Sequence, residues 1–555
     1  MCQLKKKSER IFDDMRQKNF PRLNLICLSF LLIGFCFPFP HGSQAAQTSD
    51  ILRIGLNMKG VDTLDPHFAN EPDERALAEM LFNRLIRYKP GTNSEPEADL
   101  ALDIPEPEIV SGRQVWTFRL RKGVMFHPGP ETEAYELTAD DVIASFRKAI
   151  YSVSSIYAGD YSGITVERIG LHAMQIICEK PISKPLFMAK LAAYPGGFIV
   201  SRLAVRPMGY EQFKTHPVGT GPFMFDHSVP GRKLGFRANM QYFRESPALG
   251  GVDIFFMPDI EKRKSYLRSG KLDIIDGKTD SKWAWDMMQA GDIVTDLQGI
   301  GEAVMIHFNT SESPLHDERI RRAIAYALDR KAFLDICGPP VARNIYSPVP
   351  ETLLTGGLEG KKIDKFGLDY PTNPDKAKQL MDKAGYPDGF SLTLVVSKRH
   401  IYRRYYEVLK DQLAQIGIEC ELKTVAHSSM HTRIRQGENP IVIYIAWRPD
   451  ADAVLTRFFH SDSIIMKGGN PDTNFSCYQK ADKLIEAARS ETDPGEQVRL
   501  WEYAQLKILD HMVVYPLQYI SPVHARRSVV DYGHVPAPME IYPRITEQTK
   551  LNRAP

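Results

Sequence analysis

The stretch Trp116–Val142, WTFRLRKGVMFHPGPETEAYELTADDV, decides the fold that we expect for this chain. In Trp116–Arg121 large apolar side chains alternate with Thr and Arg, which is the period of a half-buried β-strand. Gly123 and Pro128–Pro130 then interrupt the pattern. Thr138, followed by two aspartates and an apolar run, is typical of the start of a helix. The stretch therefore predicts a strand, a turn and a capped helix, and it contains no catalytic motif.

Length and composition indicate a soluble globular protein with more than one domain. The chain has 555 residues, of which 43% are hydrophobic and 25% are charged. Residues 1–45 hold seven of the Lys and Arg residues and three of the Asp and Glu residues, so their removal changes the net charge from +2 to −2. A near-neutral mature protein gives no electrostatic reason to expect nucleic-acid binding.

The N-terminus has the pattern of a secretory signal peptide. An apolar run, Leu23–Phe37, follows basic residues and precedes small residues that end at Ala45. Because a membrane-spanning helix needs about 20 apolar residues, we expect a cleaved signal over residues 1–45 and a periplasmic mature protein. A bulky residue stands directly before Cys36, so a lipid anchor is not expected.

Four cysteines remain after this cleavage, namely Cys178, Cys337, Cys420 and Cys477. They are far apart in sequence and form no CxxC motif, so we expect no zinc site. An oxidising compartment permits disulfides, and sequence alone does not choose among the three possible connectivities. Buried free thiols are the alternative.

Periodicity along the chain predicts two α/β lobes with mixed sheets. Helical patterns cover Glu74–Ile86 and Asp317–Leu334, the second as one continuous stripe. Residues 391–425 alternate as strand, helix and strand, which predicts a parallel pair of strands with a right-handed crossover. Val513–Tyr519 has the pattern of a strand that returns to the first lobe. In such proteins a ligand binds in the crevice between the lobes.

Taken together, short landmarks in a fixed order identify a resemblance. They are Leu64–Pro66, Leu81–Leu85, Trp116–Arg121, Thr138–Val142, Gly219–Phe223, Asn239 with Tyr242, Leu267 with Gly270 and Asp273, Arg321–Ile324 with Asp329–Arg330, Ala384–Tyr386, and Gly417–Ile418. From about residue 52 to residue 519 the chain resembles the extracytoplasmic solute-binding proteins of oligopeptide, dipeptide and nickel ABC importers, family 5.

The resemblance implies an α/β, two-lobed periplasmic binding protein fold with mixed sheets and an additional inserted domain. The implied boundaries are 1–45 for the signal peptide, 46–87, 174–302 and 518–555 for lobe I, 88–173 for the inserted domain II, and 303–517 for lobe III. It further implies hinge closure on a short peptide or peptide-like amine and delivery to the transmembrane subunits of an ABC permease, by a protein that we expect to be a monomer.

The resemblance also carries two ligand-binding residues onto this sequence. In peptide-binding members a Trp followed three positions later by Asp lies in the second lobe, and here the pair is Trp447 and Asp450. The Asp takes the ligand's α-ammonium, and a desolvated ammonium needs such an anionic partner. The Trp offers an apolar wall or a cation–π face. The structural alternative is that Asp450 caps the backbone in a turn that Pro449 starts.

Nearby positions depart from the family pattern. Oligopeptide binders often place an Arg where Tyr444 stands, so the contact to a ligand carboxylate has no clear candidate. Arg433 and Arg448 are the substitutes that the sequence offers, although a solvated face is the ordinary position for an arginine. Asn70 and Glu71 occupy the loop that in relatives runs beside the bound peptide, and an ordinary surface turn is the alternative for them.

Other functions have weaker support in the sequence. His67, His127 and His307 suggest a nickel or haem site, but they are far apart and none of them belongs to an HxH or HxxxH pair, so we expect no metal ligand and no cofactor. An enzyme is not expected, since Gly219 and Gly221 precede a strand rather than the helix of a dinucleotide loop, and no other catalytic signature stands out. The remaining alternatives are binding of nickel, a metal chelate or another small solute on the same fold, or a role as a periplasmic chaperone or interaction protein.

Overall fold

The computed structural model describes residues 50–552 apart from residues 70, 93, 153, 154, 156, 298, 300, 352, 353 and 537–541. All of these belong to one compact unit, which contains residues 48–555. The expected signal peptide, with Cys36, lies outside the described residues, as does Asn70.

The described chain contains both strands and α-helices along its whole length. The strands are β1 (Ile51–Leu56), β2 (Ile86–Tyr88), β3 (Pro96–Ala98), β4 (Glu108–Val110), β5 (Arg113–Arg119), β6 (Ile164–Gly170), β7 (Ala173–Cys178), β8 (Phe223–Val229), β9 (Lys233–Ala238), β10 (Gly251–Phe256), β11 (Ile274–Asp276), β12 (Ile293–Leu297), β13 (Glu302–Phe308), β14 (Ala342–Asn344), β15 (Phe390–Ser397), β16 (Ile418–Val425), β17 (Ile441–Ala446), β18 (Val514–Ile520), β19 (Val523–Arg527), β20 (Val530–Asp531) and β21 (Lys550–Leu551). The α-helices are α1 (Pro72–Leu81), α2 (Ala139–Tyr151), α3 (Lys184–Ala192), α4 (Arg202–Phe213), α5 (Ile260–Arg268), α6 (Ser281–Met288), α7 (Glu318–Ala327), α8 (Arg330–Leu334), α9 (Gly360–Phe366), α10 (Pro374–Lys383), α11 (His400–Ala414), α12 (His427–Arg435), α13 (Ala451–Phe459), α14 (Asp482–Ser490) and α15 (Pro494–Asp510).

The strand and the capped helix predicted for residues 116–142 are both present, as β5 and α2. Trp116 is fully buried and stacks on Phe187 with 4.2 Å between the ring centroids. Thr138 is the N-cap of α2, and the Asp141 carboxylate accepts a hydrogen bond of 3.0 Å from the Thr138 backbone N–H. This reciprocal capping box satisfies backbone donors that a helix otherwise leaves without partners.

One sheet has seven strands, in the order β12-β19-β11-β1-β10-β9-β8. Its central strand β1 runs parallel to both β10 and β11. A separate four-stranded antiparallel sheet, β4-β5-β7-β6, extends from residue 108 to residue 178 and carries Trp116 on its buried face.

A further four-stranded sheet, β14-β18-β13-β17, lies in the second half of the chain beside the parallel pair β15 and β16. The parallel pair confirms the crossover predicted for residues 391–425. The sequence predicts that the strand at Val513–Tyr519 returns to the first lobe, but the strand that does so is the next one, β19. Strand β18 pairs with β13 and β14, and β19 joins the seven-stranded sheet instead, because the short turn at residues 521–522 carries the chain across.

Two helices end earlier than their periodicity indicates. The single helix predicted for residues 317–334 is divided, because Leu328 has extended backbone angles (φ −80°, ψ 130°) and the Asp329 side chain caps a new helix by accepting from the backbone N–H of Lys331 at 2.9 Å. Helix α1 stops at Leu81 because Phe82 is extended, and the chain enters β2 rather than continuing to Ile86.

Two hydrophobic cores support this arrangement. One is formed mainly by residues 52–254 with the C-terminal residues 530–551, and the other by residues 257–525. We call residues 50–256 the first lobe and residues 302–520 the second lobe. All four cysteines among the described residues are free thiols, and Cys477 is the one of them that is not fully buried. Within the described part of the chain, no helix is long and apolar enough to cross a membrane.

Candidate functional site

A cavity of about 1160 Å³ lies between the two lobes. The first-lobe wall comes mainly from α1, the segment that follows it and α3, and includes Arg75, Glu79 and Leu186. The second-lobe wall is formed by Glu351, Leu354, Thr355, Trp447, Pro449, Asp450, Pro494, Gln497 and Trp501. Hydrogen-bonded pairs close the lobes around it: Tyr194 with Asp450, Ser183 with Gln497, and Asp160 with Arg457. The lobes are therefore in contact, and the cavity is the space that this closure leaves.

Asp450 stands in the wall of this cavity at the N-terminus of α13. Its Oδ1 accepts from the backbone N–H of Ala453 at 2.8 Å, and its Oδ2 accepts from the Tyr194 hydroxyl at 2.9 Å. Burial in the closed cleft and the nearby charge of Asp452 raise the pKa of Asp450 to about 6. The residue is thus a helix cap, as the structural alternative proposed, and also an anionic group that faces the cavity.

Trp447, three residues before Asp450, lines the same cavity. The Arg75 guanidinium of α1 lies 5.6 Å from its ring centroid, which is within the range of a cation–π contact. The Trp447 indole N–H is buried and has no hydrogen-bond partner among the described residues. An indole donor in this state gains a bond when a ligand offers an acceptor.

Charged residues of α1 and its flanks form a part of the wall that the sequence analysis missed. Glu79 lies between Arg84, at 2.8 Å, and Arg544, at 3.4 Å. Burial raises the pKa of a carboxyl group, but these two guanidinium groups hold the pKa of Glu79 below its ordinary value. The Leu81–Leu85 landmark contains Arg84, yet nothing in the sequence indicates that α1 faces a cleft.

Apolar side chains complete the cavity from both lobes. Leu186 and Met188 come from α3, Leu354 from the loop before α9, and Trp501 from α15. A cavity with apolar walls and a few convergent polar groups is the usual form of a small-molecule site.

Tyr444 does not line this cavity. It is buried on β17, its ring centroid is 5.0 Å from that of Phe475, and its hydroxyl accepts from the Arg435 guanidinium at 3.2 Å. The structure therefore places Tyr444 in the second lobe's aromatic packing, on the strand that leads to Trp447.

The two arginines that the sequence offered for a ligand carboxylate also lie away from the cavity wall. Arg433 on α12 is held by Glu438 through a bond of 2.7 Å. Arg448 is half-buried rather than on a solvated face, because its guanidinium lies 4.7 Å from the Phe458 ring centroid and donates to the Trp447 backbone carbonyl at 2.9 Å.

Glu71 is exposed and begins α1, where it forms a capping box with Glu74. The histidines considered as metal ligands are separate and structural. His67 bonds the carbonyl of Phe198 at 2.9 Å, and His127 bonds the carbonyl of Gly221 at the same distance. His307 is buried among phenylalanine rings. In the described ranges no group of three or more His, Cys, Asp or Glu side chains is placed to hold a metal ion.

Comparison with known proteins relates this chain to a family of solute-binding proteins and to two binding proteins of other bacteria. Residues 95–465 match the family "Bacterial extracellular solute-binding proteins, family 5 Middle". The chain is 27% identical to the di/tripeptide-binding protein 2 of Pseudomonas aeruginosa, over 84% of this chain and 88% of that protein. It is 26% identical to the heme-binding protein A of Haemophilus influenzae, over 78% and 80% of the two chains.

One solved structure is more similar in sequence than either of these relatives. It is the periplasmic binding protein MoaA of A. tumefaciens R10 in complex with mannopinic acid. The identity is 33%, the TM-score is 0.78, and the match covers 91% of this chain and all of that one.

Proposed function

Because the chain belongs to family 5 of the bacterial extracellular solute-binding proteins, we propose that it captures a short peptide or peptide-like amine between its lobes and delivers it to an ABC permease. The family expected from the landmarks is confirmed, and so is the two-lobed α/β fold. The family is one of solute-binding rather than catalytic proteins, and its members are extracellular.

A single observation carries the proposal: the Asp450 carboxylate lies in the wall of the interlobe cavity beside the Trp447 ring. A carboxylate has room for about four hydrogen bonds, and two are made by Ala453 and Tyr194. The remaining acceptor positions suit an ammonium group, which is stable in a closed cleft only beside an opposite charge. The indole ring supplies a flat apolar surface next to it.

The volume of the cavity limits the ligand. The cavity of about 1160 Å³ is slightly larger than the ~300–1,000 Å³ that small-molecule sites usually occupy, so a short peptide or a solute of comparable size fits. For a ligand carboxylate we assign Arg75, which lines the cavity and lies 5.6 Å from the Trp447 ring. Arg433 and Arg448 do not line it, so this assignment replaces them.

The finer features of the transport role rest on the family relationship. We infer a periplasmic protein that acts as a monomer, without catalysis, and that presents its closed form to the transmembrane subunits of the permease. The names of the relatives refer to different solutes, including di- and tripeptides and mannopinic acid. The experiment must therefore identify the ligand of this chain.

Native mass spectrometry of the protein purified from its periplasm tests the proposal directly. We expect one bound solute that carries an amine, released on denaturation, and a matching affinity when that solute or a di- or tripeptide is titrated by calorimetry. Mannopinic acid is a second probe in the same titration. Protein that carries no solute, binds none of these probes, and instead captures unfolded polypeptide would contradict the transport role and support a chaperone.

A further inference from the structure

Helix α12 carries two histidines that the sequence analysis overlooked. His427 and His431 are four residues apart in the segment HSSMH, an HxxxH pair. Residues at this spacing lie on the same face of an α-helix, and both side chains are half-buried. Neither residue lines the interlobe cavity, so the pair is separate from the proposed ligand site.

The two imidazoles converge on one point. The Nε2 atoms of His427 and His431 are 3.2 Å apart, and their rings are 4.5 Å apart between centroids and inclined at 82°. Two nitrogens bound to one tetrahedral metal ion at ~2.0–2.1 Å lie roughly 3.3 Å from each other. The observed separation is therefore the separation that a shared metal ion requires.

A neighbouring hydroxyl orients the first imidazole for this role. The Ser397 Oγ at the end of β15 lies 3.0 Å from Nδ1 of His427. When Nδ1–H donates to this hydroxyl, the lone pair of Nε2 is directed to the gap between the rings. Metal-binding histidines usually have such a partner at the second ring nitrogen.

The surroundings hold the pair in place from the other sides. The Tyr402 ring is 5.2 Å from His427, and the Tyr444 ring is 5.8 Å from His431. The Arg435 guanidinium is engaged by the Tyr444 hydroxyl at 3.2 Å. No third protein ligand adjoins the pair among the described residues, so water or a small chelating molecule would complete the coordination.

We propose that His427 and His431 form a two-histidine site for a divalent transition-metal ion that imidazole favours, namely Zn²⁺, Ni²⁺ or Cu²⁺. The site lies on the surface of the second lobe, beside the aromatic cluster of Tyr444, and does not depend on the proposed transport ligand.

Calorimetric titration of NiCl₂ and ZnCl₂ into the mature chain tests this site. The protein is prepared without a polyhistidine tag and is freed of metal with EDTA before dialysis. We expect one equivalent to bind. His427→Gln or His431→Gln lowers the affinity at least about tenfold, because even the loss of a second-sphere partner costs 10–100-fold. His316→Ala, an exposed single histidine of the same lobe, is the matched control and leaves the affinity unchanged.

Both glutamine variants keep a hydrogen-bonding side chain, and their circular dichroism spectra and melting temperatures report whether the fold is retained. Absence of a one-to-one titration in the parent protein would overturn the proposal and leave only a hydrogen bond between two histidines. Equal metal affinity of folded His427→Gln and parent protein would overturn it as well, since the ion would then bind elsewhere.

Discussion

The Tyr194 hydroxyl of the first lobe donates a hydrogen bond of 2.9 Å to the Asp450 carboxylate of the second lobe. The group that we assign to the ligand's ammonium is therefore also a group that holds the lobes together. The contact between the lobes thus orients this carboxylate through Tyr194, and burial of the carboxylate raises its pKa to about 6.

Tyr194→Phe is expected to weaken the contact between the two lobes. Hydrogen bonds to charged groups contribute about 1.5–3 kcal/mol, and the substitution removes one such bond without changing the ring. Small-angle scattering measures the result as an increase in radius of gyration. Tyr503→Phe, at an exposed tyrosine of α15, is the control. Identical scattering of the Tyr194 variant and the parent protein would show that this bond does not hold the lobes.

Asp450→Asn separates the ligand role of the residue from its role as a helix cap. Asn caps a helix about as well as Asp, so α13 is expected to keep its stability, whereas Asp450→Ala loses about 1 kcal/mol of it. Both variants are expected to bind an amine ligand at least about 100-fold less tightly, because breaking a buried ion pair costs about 3–5 kcal/mol. Titration calorimetry with the free amine and its N-acetylated form checks this, and equal amine affinity of variant and parent would refute the assignment.

The pH dependence of binding follows from the raised pKa of Asp450. A carboxyl group whose pKa is about 6 is ionised above that pH and protonated below it. Amine affinity is therefore expected to be constant near pH 7 and to fall about tenfold per pH unit below about 6. Above about 8 it falls again, since an α-amine loses its own proton there. Asp450→Asn removes the acidic limb, and an unchanged acidic limb in that variant would assign the titration to another group.

The same shift affects stability in the opposite sense. Because the folded-state pKa of Asp450 lies above its ordinary value of 3.8, the folded protein holds a proton between about pH 6 and 4 that the unfolded chain releases. The contribution of this group to the free energy of unfolding thus increases as pH falls through 6. Ligand binding and folding stability are consequently expected to move in opposite directions over this interval.

Local pattern predicted most elements of the fold because their causes are local. The alternation at Trp116–Arg121 and the cap at Thr138 act within a few residues, and both elements formed as predicted. The pattern failed where a competing local signal was ignored, as at Asp329, whose side chain begins a new helix. It failed again at β18, because the partner of a strand depends on contacts far away in sequence.

The candidate site was only partly accessible from the sequence. Trp447 and Asp450 were predicted from their offset of three residues, which a family resemblance makes visible, and the structure places both in the cavity wall. Arg75 and Glu79 were missed, because an amphipathic helix reveals which face is apolar but not that its polar face meets another lobe. His427 and His431 were present as an HxxxH spacing, yet only the structure shows that their nitrogens converge.

Thr138→Ala tests whether the cap of helix α2 affects only the stability of the fold or also ligand binding. Its capping box with Asp141 is expected to contribute about 1 kcal/mol, within the 0.5–2 kcal/mol typical of N-caps. Thr138→Ser retains the cap, and its free energy of unfolding is expected to differ from that of the parent by only a few tenths of a kcal/mol. Denaturant unfolding measures both, and ligand affinity should stay unchanged in both variants. A loss of affinity with Thr138→Ala would mean that the sheet β4-β5-β7-β6 and helix α2 take part in binding.

Asp160 and Asp472 provide a matched pair of substitutions, because both carboxylates bind the guanidinium of Arg457. Asp160 belongs to the first lobe and makes two bonds of 2.7 Å, so it links the lobes, whereas Asp472 belongs to the second lobe, as Arg457 does, and lies at 3.2 Å. Removing the first contact is expected to destabilise the closed form, and removing the second to affect only the second lobe.

Asp160→Asn is therefore expected to increase the radius of gyration of the protein and to lower ligand affinity about tenfold or more, since a bond to a charged group contributes about 1.5–3 kcal/mol to closure. Asp472→Asn is expected to lower the melting temperature while leaving the radius of gyration and the affinity as they are. The comparison holds the shared arginine constant, so a difference between the variants reports the lobe contact itself. Equal effects of the two substitutions on scattering and affinity would instead mean that Arg457 acts through the stability of the second lobe, and that closure rests on Tyr194 and Ser183.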